Sequence, residues 1–393
     1  MSLPDGPALS PAQDLHAAAP GFLHAPEASR SIFLVTFAAA CVPLSAGAFF
    51  FGWRAVMLAG VGVAAAMLAE TSFYRLTRTP SLLGRSHAAL TGLLLALTLP
   101  PTSPWYVAAV GALFAVVLGK CLFGGVGHFL WQPALVGRLA VTVLFAPPLA
   151  PPLEGPLWPV LTPDRVLVGD VTQAQPNPHP QMPWRRLAAP PDGDALASPP
   201  PVERLRQLTL PTDQPPESIV SVLTRLPPMG DLVLGACPGR VGETSAAMIL
   251  VAGLYLVYHN YVRQHLPVML LAAAAATAAI APIRDAAGAW QWFPVVSQGA
   301  DVGLSYVAAH LATGELMLAA WFMATEMTSR PVTAPAQAIF GLLCGVLAMV
   351  LRLYTTIPIP AYAAVLACNT LTPVLDGIQP HPLGVRRWWQ RRR

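Results

Sequence analysis

Residues 31–51 read SIFLVTFAAACVPLSAGAFFF, an apolar run without a single charged side chain. A bilayer core about 30 Å thick is crossed by about 20 apolar residues in a helix, so this stretch is long enough to span one. Comparable runs lie near 54–70, 87–101, 103–120 and 133–149. After a long interruption they resume near 243–260, 264–283, 303–325, 336–354 and 358–375. Pro100, Pro101 and Pro104 separate the third and fourth runs, which therefore read as a tight helical hairpin. The reading is an all-α polytopic membrane protein of ten transmembrane helices. Composition points the same way: 54% of residues are apolar and 11% charged, against about 25% charged in an average soluble domain. A soluble chain of 393 residues could not cover its surface with so few charges. The formal charge of +4 is too small and too scattered for a nucleic-acid footprint, which leaves the lipid bilayer as the first partner.

Basic residues orient the spans, because short cytoplasmic loops collect them. With the N-terminus inside, 13 of the 23 basic residues fall on the inner side, and the short outer loops hold 3 (Arg54, Arg284 and Arg352). This predicts a bacterial inner-membrane protein with both termini cytoplasmic. Its parts are an N-terminal tail (1–30), a first five-helix half (31–149), a periplasmic segment (150–229), a second five-helix half (230–376) and a basic tail (377–393). Five is odd, so the second half enters from the opposite side, the arithmetic of an inverted repeat. Residues 1–30 lack the short apolar core of a cleavable signal. The 150–229 segment holds 19 of the 43 prolines. Proline at that density opposes regular helix and central strand, so the segment is expected to be ordered by partners or the lipid surface and not by a core of its own. The five cysteines form no C-x-x-C pair, and Cys41, Cys344 and Cys368 read as small hydrophobes.

Ionisable groups at membrane depth are costly and mark function. The candidates are Glu70, Glu243, Asp301, Glu315, Glu326 and Asp376. Glu70, Asp301 and Asp376 fall at predicted span ends and read first as interfacial or capping carboxylates. Glu243 belongs to Gly239-Arg240-Val241-Gly242-Glu243-Thr244-Ser245, which opens an apolar helix. Two readings stand level there: an anion held by backbone N–H groups at the helix start, or a cap formed by Thr244 or Ser245. His87, His128 and His310 read as satisfied core histidines, since no pair has haem-ligand spacing.

Several motifs carry a resemblance. Thr91-Gly92 through Pro100-Pro101, Gly119-Lys120, Phe123-Gly124-Gly125-Val126-Gly127 and Pro133-Ala134-Leu135-Val136-Gly137-Arg138 lie in the first half. Gly242-Glu243-Thr244-Ser245-Ala246, Phe322-Met323-Ala324-Thr325, the Arg352 region and Asn369 to Asp376 lie in the second. Together they resemble the RnfD/NqrB family over roughly residues 30–380, RnfD more closely. The resemblance implies a subunit of an Rnf/Nqr-type electron-transport complex, working beside other membrane subunits. Such complexes pass electrons between ferredoxin or NADH and a second carrier, coupled to Na+ or H+ translocation. It also implies FMN joined by a phosphoester to a threonine in an (S/T)-(G/Q)-A-T-P segment after the fifth helix.

The sequence departs from the family where that chemistry should be. In Asp170-Val171-Thr172-Gln173-Ala174-Gln175-Pro176 the acceptor position is Gln175, whose carboxamide has no hydroxyl to esterify. Covalent FMN is therefore not expected. Non-covalent FMN or riboflavin would rest on Thr172, Gln175 and the Gly242-Glu243-Thr244 helix start. An acidic residue expected before the third helix is replaced by Arg85-Ser86-His87, and the aspartate of the family's M-A-T-D is Glu326. Three functions compete: a redox subunit with non-covalent flavin, a flavin-free scaffold, and an independent inverted-repeat transporter. No metal site is predicted, and the chain alone is not read as a free-standing enzyme.

Overall fold

A computed structural model describes residues 29–78, 86–145, 201–210, 218–224, 226–235, 237, 239–284 and 288–377. The first helices are α1 (Ser29–Phe51), α2 (Trp53–Thr77), α3 (Ser86–Leu97), α4 (Trp105–Val117) and α5 (Pro133–Leu144). Gln132 starts α5 by accepting the Leu135 N–H at 2.7 Å, with Pro133 preset for the first turn. Three short helices follow, α6 (Pro201–Arg206), α7 (Ile219–Thr224) and α8 (Met229–Leu234). Then come α9 (Ala246–Tyr258), α10 (His265–Ile280), a two-residue hairpin of β1 (Ile283–Arg284) and β2 (Trp290–Gln291), and α11 (Pro294–Ser297). The chain ends in α12 (Ala300–Ala312), α13 (Leu316–Leu318), α14 (Ala334–Tyr354), α15 (Pro360–Asn369) and α16 (Thr372–Leu375). The core packing runs α10 on α14, α2 on α3 and α4, α15 on α14, and α4 on α5, with α9 bridging to α1.

Among the described residues, four helices are long and apolar enough to cross a membrane: Ser31–Phe51, Trp53–Thr77, Trp105–Phe123 and Ala334–Tyr354. A fifth candidate is a broken one. Ala300–Ala312 and Leu316–Met323 meet at 63°, so the predicted span 303–325 is not a straight helix. The break has a local cause. Gly314 sits at φ 71°, a left-handed conformation open to glycine, and the chain then resumes through a wide turn in which Ala324 N–H donates to Ala319 O at 2.8 Å. His87–Leu97, Pro133–Leu144, Ala246–Tyr258 and His265–Ile280 are shorter apolar helices. The last predicted run, 358–375, is likewise split, into α15 and α16.

Two sequence expectations need correction. Helix α2 continues past residue 70 to Thr77, so Glu70 is not at a span end; it is buried inside the protein. And the part of the 150–229 segment that is described packs on the chain itself. Leu205, Leu208, Ile219 and Val222 join the apolar core. Arg206 donates to the carbonyls of Arg352 (3.1 Å) and Ile357 (2.5 Å), Thr209 donates to Leu353 O, and Arg284 N–H donates to Leu208 O at 2.8 Å. The physical reason is that free carbonyls at the end of α14 supply the order that apolar periodicity does not. Burial pushes the Arg206 guanidinium pKa down, partly countered by Glu203.

Candidate functional site

The break after α12 sets up the site. A helix that stops inside the protein leaves its last carbonyls without partners. Arg352, in the last turn of α14 and fully buried, donates to two of them, His310 O at 2.8 Å and Thr313 O at 3.2 Å. Its charge also suits the negative end of the α12 dipole. The same guanidinium lies 3.5 Å from Oε1 of Glu315, the residue that restarts the helix. Glu315 Oε1 also accepts the Ala361 N–H at 3.2 Å, and Oε2 accepts from Arg240 at 3.2 Å. Arg240 in turn reaches Glu243 Oε2 at 3.0 Å and donates to Pro358 O at 2.7 Å. Tyr362 completes the set, its hydroxyl donating to Glu243 Oε1 at 2.5 Å. The result is a chain of charges, Tyr362–Glu243–Arg240–Glu315–Arg352, that joins the α9 start, the α12 break, α14 and α15. All four carboxylate oxygens have partners.

The opening of α9 settles the two readings of Glu243. Ser245 is the cap: its Oγ accepts the Met248 N–H at 3.3 Å. Val241 N–H donates to Leu99 O at 3.0 Å and Gly242 N–H to Leu97 O at 2.8 Å, so this loop satisfies the carbonyls at the end of α3. Gly242 is needed there, because a Cβ would lie 2.5 Å from the Leu97 side chain. Glu243 N–H is likewise spent on Arg240 O. With their N–H groups donated and the Glu243 carboxylate bonded, Gly242 and Glu243 offer no free donor to a flavin phosphate. In this stretch the Thr244 hydroxyl is buried without a hydrogen-bond partner among the described residues. Thr172 and Gln175 lie outside the described residues.

Other predicted residues fall in different places. Asp376 accepts the N–H of Val332, in the loop before α14, at 2.8 Å, while Asp301 lies in the exposed first turn of α12. Glu70 pairs with Lys120, the one lysine of the chain, at 2.5 Å. His128 is exposed. His310 is fully buried but neither ring nitrogen has a partner, so it is not the satisfied histidine expected. His87 instead faces Glu326 at 3.7 Å. Sequence reading misses Arg138, Arg240, Arg352, Lys120 and Tyr362. Arg352 reads as a loop residue, although its place four residues past Ala348, in an unbroken apolar run, is a signal of burial. Arg138 is also buried, with Nε and Nη1 unpartnered.

Apolar helices carrying buried ion pairs at a broken span define an integral membrane protein with ionisable groups in its interior. The profile of the NQR2, RnfD, RnfE family matches residues 16–384, and the chain belongs to that family. Among its relatives is the D component of an "Ion-translocating oxidoreductase complex" of Halorhodospira halophila, 30% identical over 95% of this chain and 94% of the relative. A protein of the same description from Stutzerimonas stutzeri is 32% identical over 86% of this chain and 87% of its own length. The D component of a "Proton-translocating ferredoxin:NAD(+) oxidoreductase complex" of Clostridium ljungdahlii is 28% identical over 87% of both.

Proposed function

We propose that this chain is the D-type membrane subunit of an ion-translocating oxidoreductase complex, coupling electron transfer to the movement of Na+ or H+. It works beside the other Rnf/Nqr-type membrane subunits in the bacterial inner membrane. In this reading the apolar helices make ten spans in two inverted halves with both termini cytoplasmic. Removing the buried Lys120, Arg138 and Arg352 from the loop charges leaves the inner side still far richer in arginine. The observation that carries the ion-coupling part is the set of largely buried ionisable side chains within and between the apolar helices: Glu70–Lys120, His87–Glu326, and the chain from Glu243 to Arg352. Such groups are retained against a desolvation cost of several kcal/mol per ion. A reporter fused after Arg393 that works only in the cytoplasm is the expected topology result; activity confined to the periplasm would overturn the orientation.

A scaffold role is the second reading, favoured by one observation: every carboxylate oxygen of Glu243 and Glu315 is already bonded. Assembled complex in sealed vesicles separates the two. Donor-driven uptake of 22Na+ or of protons that falls at least tenfold in Glu326→Gln, with electron transfer retained, favours the coupling role. Unchanged uptake favours the scaffold.

The reading includes no phosphoester flavin, because Gln175 cannot form one; FMN or riboflavin would be held by non-covalent contacts alone. Wild-type protein is then expected to show no in-gel flavin fluorescence after denaturation. Gln175→Thr, which restores Thr172-Gln173-Ala174-Thr-Pro176, should gain it when a flavin transferase is co-expressed. Covalently labelled wild type would refute the assignment of Gln175.

A further inference from the structure

His87 and Glu326 stand apart from the bonded network at the other end of α3. That helix has 12 residues, so its two ends lie about 18 Å apart. Both side chains are buried, at 1% and 7% exposure. The Thr91 hydroxyl lies beside both the carbonyl and the ring Nδ1 of His87. Thr91 Oγ1 donates its only proton to His87 O at 2.9 Å. With that proton spent, the 3.4 Å contact with His87 Nδ1 is satisfied by the tautomer that carries its proton on Nδ1. In neutral His87 this leaves the lone pair on Nε2, and Nε2 is the atom that faces Glu326 Oε1, 3.7 Å away. Oε1 is buried without another partner. Two lone pairs facing one another in a buried site repel, and one proton between them turns the contact into an imidazolium–carboxylate pair. Phe33 packs edge-on to the imidazole at 4.8 Å and Phe129 lies tilted against it at 5.4 Å, walling it in.

We propose that His87 and Glu326 form a proton-binding site, with one exchangeable proton shared between Nε2 and Oε1. Uptake adds one H+ and release returns it; no electron or other group moves. The site deepens the ion-coupling reading above and names the proton as its ligand. A hard cation such as Na+ prefers an all-oxygen shell, and the imidazole nitrogen argues against it. The charged and titratable groups on the surrounding elements include Arg30 of α1, Arg54, Glu70 (bound by Lys120) and Arg75 of α2, Arg138 of α5 and exposed His128. On the Glu326 side, Arg330 interacts electrostatically with Glu326 and with Arg263.

The test is a pH titration of the assembled complex in lipid bilayers, followed by infrared difference spectroscopy of carboxyl and imidazole bands. Wild type should show a carboxyl or imidazolium signal that is absent in Glu326→Gln. Its midpoint should move by about one pH unit or more in His87→Gln, the shift expected from removing a charge partner. Glu326→Asp, one methylene shorter, should move it in the same way. An identical midpoint in wild type and His87→Gln would overturn the site, as would a signal that follows Na+ concentration and not pH. Because the titration needs no turnover, failure of the ion-coupling reading shows separately, as wild-type vesicles that move neither ion.

Discussion

Glu315→Gln should lose most of its folded protein. The substitution takes one carboxylate from between two arginines, leaving Arg240 with Glu243 alone and Arg352 with no carboxylate partner. Breaking a buried pair by deleting one partner costs about 3–5 kcal/mol, because the remaining charge stays buried without compensation. That is comparable with the whole stability of a typical domain. Tyr362→Phe is the graded control. It removes one hydrogen bond to a carboxylate and should cost only about 1.5–3 kcal/mol. Thermal unfolding of detergent-solubilised protein, followed by size-exclusion chromatography, reads both. If Glu315→Gln unfolds no earlier than Tyr362→Phe, the network does not hold the broken helix. The double change Glu315→Leu with Arg352→Met should be milder than Glu315→Gln alone, since both buried charges leave together.

What the sequence could reveal about this network follows from what hydropathy measures. It is a local sum along the chain, so the apolar runs at 31–51 and 336–354 are legible and match helices within two residues. It carries nothing about backbone dihedrals, which is why 303–325 reads as one span although Gly314 bends it. It also ends a span at the first charge: Glu70 falls at an edge in that reading because its partner Lys120 lies 50 residues away in sequence. The start of α9 is legible as a cap, yet the partners of Glu243 are not. Arg240 is three residues off, but Tyr362 is 119 away. The short helices α6 and α7 are illegible for a different reason. The order of α6 comes from backbone carbonyls of α14 and its following loop, which have no sequence signature, and α7 is held by Ile219 and Val222 in the apolar core.

The second large effect is expected at Gly345. Gly341 and Gly345 lie one turn apart on α14 against α10, whose facing stretch includes five consecutive alanines, Ala272 to Ala276. In a membrane, small residues let helix backbones approach and so replace the hydrophobic drive that water would supply. A Cβ on Gly341 would stand 2.6 Å from Leu266 O. One on Gly345 would strike Leu270 O and come within 2.8 Å of the Ala273 Cβ. Backbone atoms on a packed helix cannot rotate aside, so a larger side chain must push α10 and α14 apart. Overpacking of this kind costs about 1–3 kcal/mol or more per site. Gly345→Val should therefore lower the unfolding temperature sharply, and Gly341→Val/Gly345→Val should abolish the folded species. Gly60 on α2 supplies the control, because nothing lies within 4 Å of a Cβ built there. Gly60→Ala removes a helix-interior glycine and should be neutral or stabilising by up to about 1 kcal/mol. Equal unfolding temperatures for Gly60→Ala and Gly345→Val would mean that α10 and α14 do not meet as closely as these contacts require.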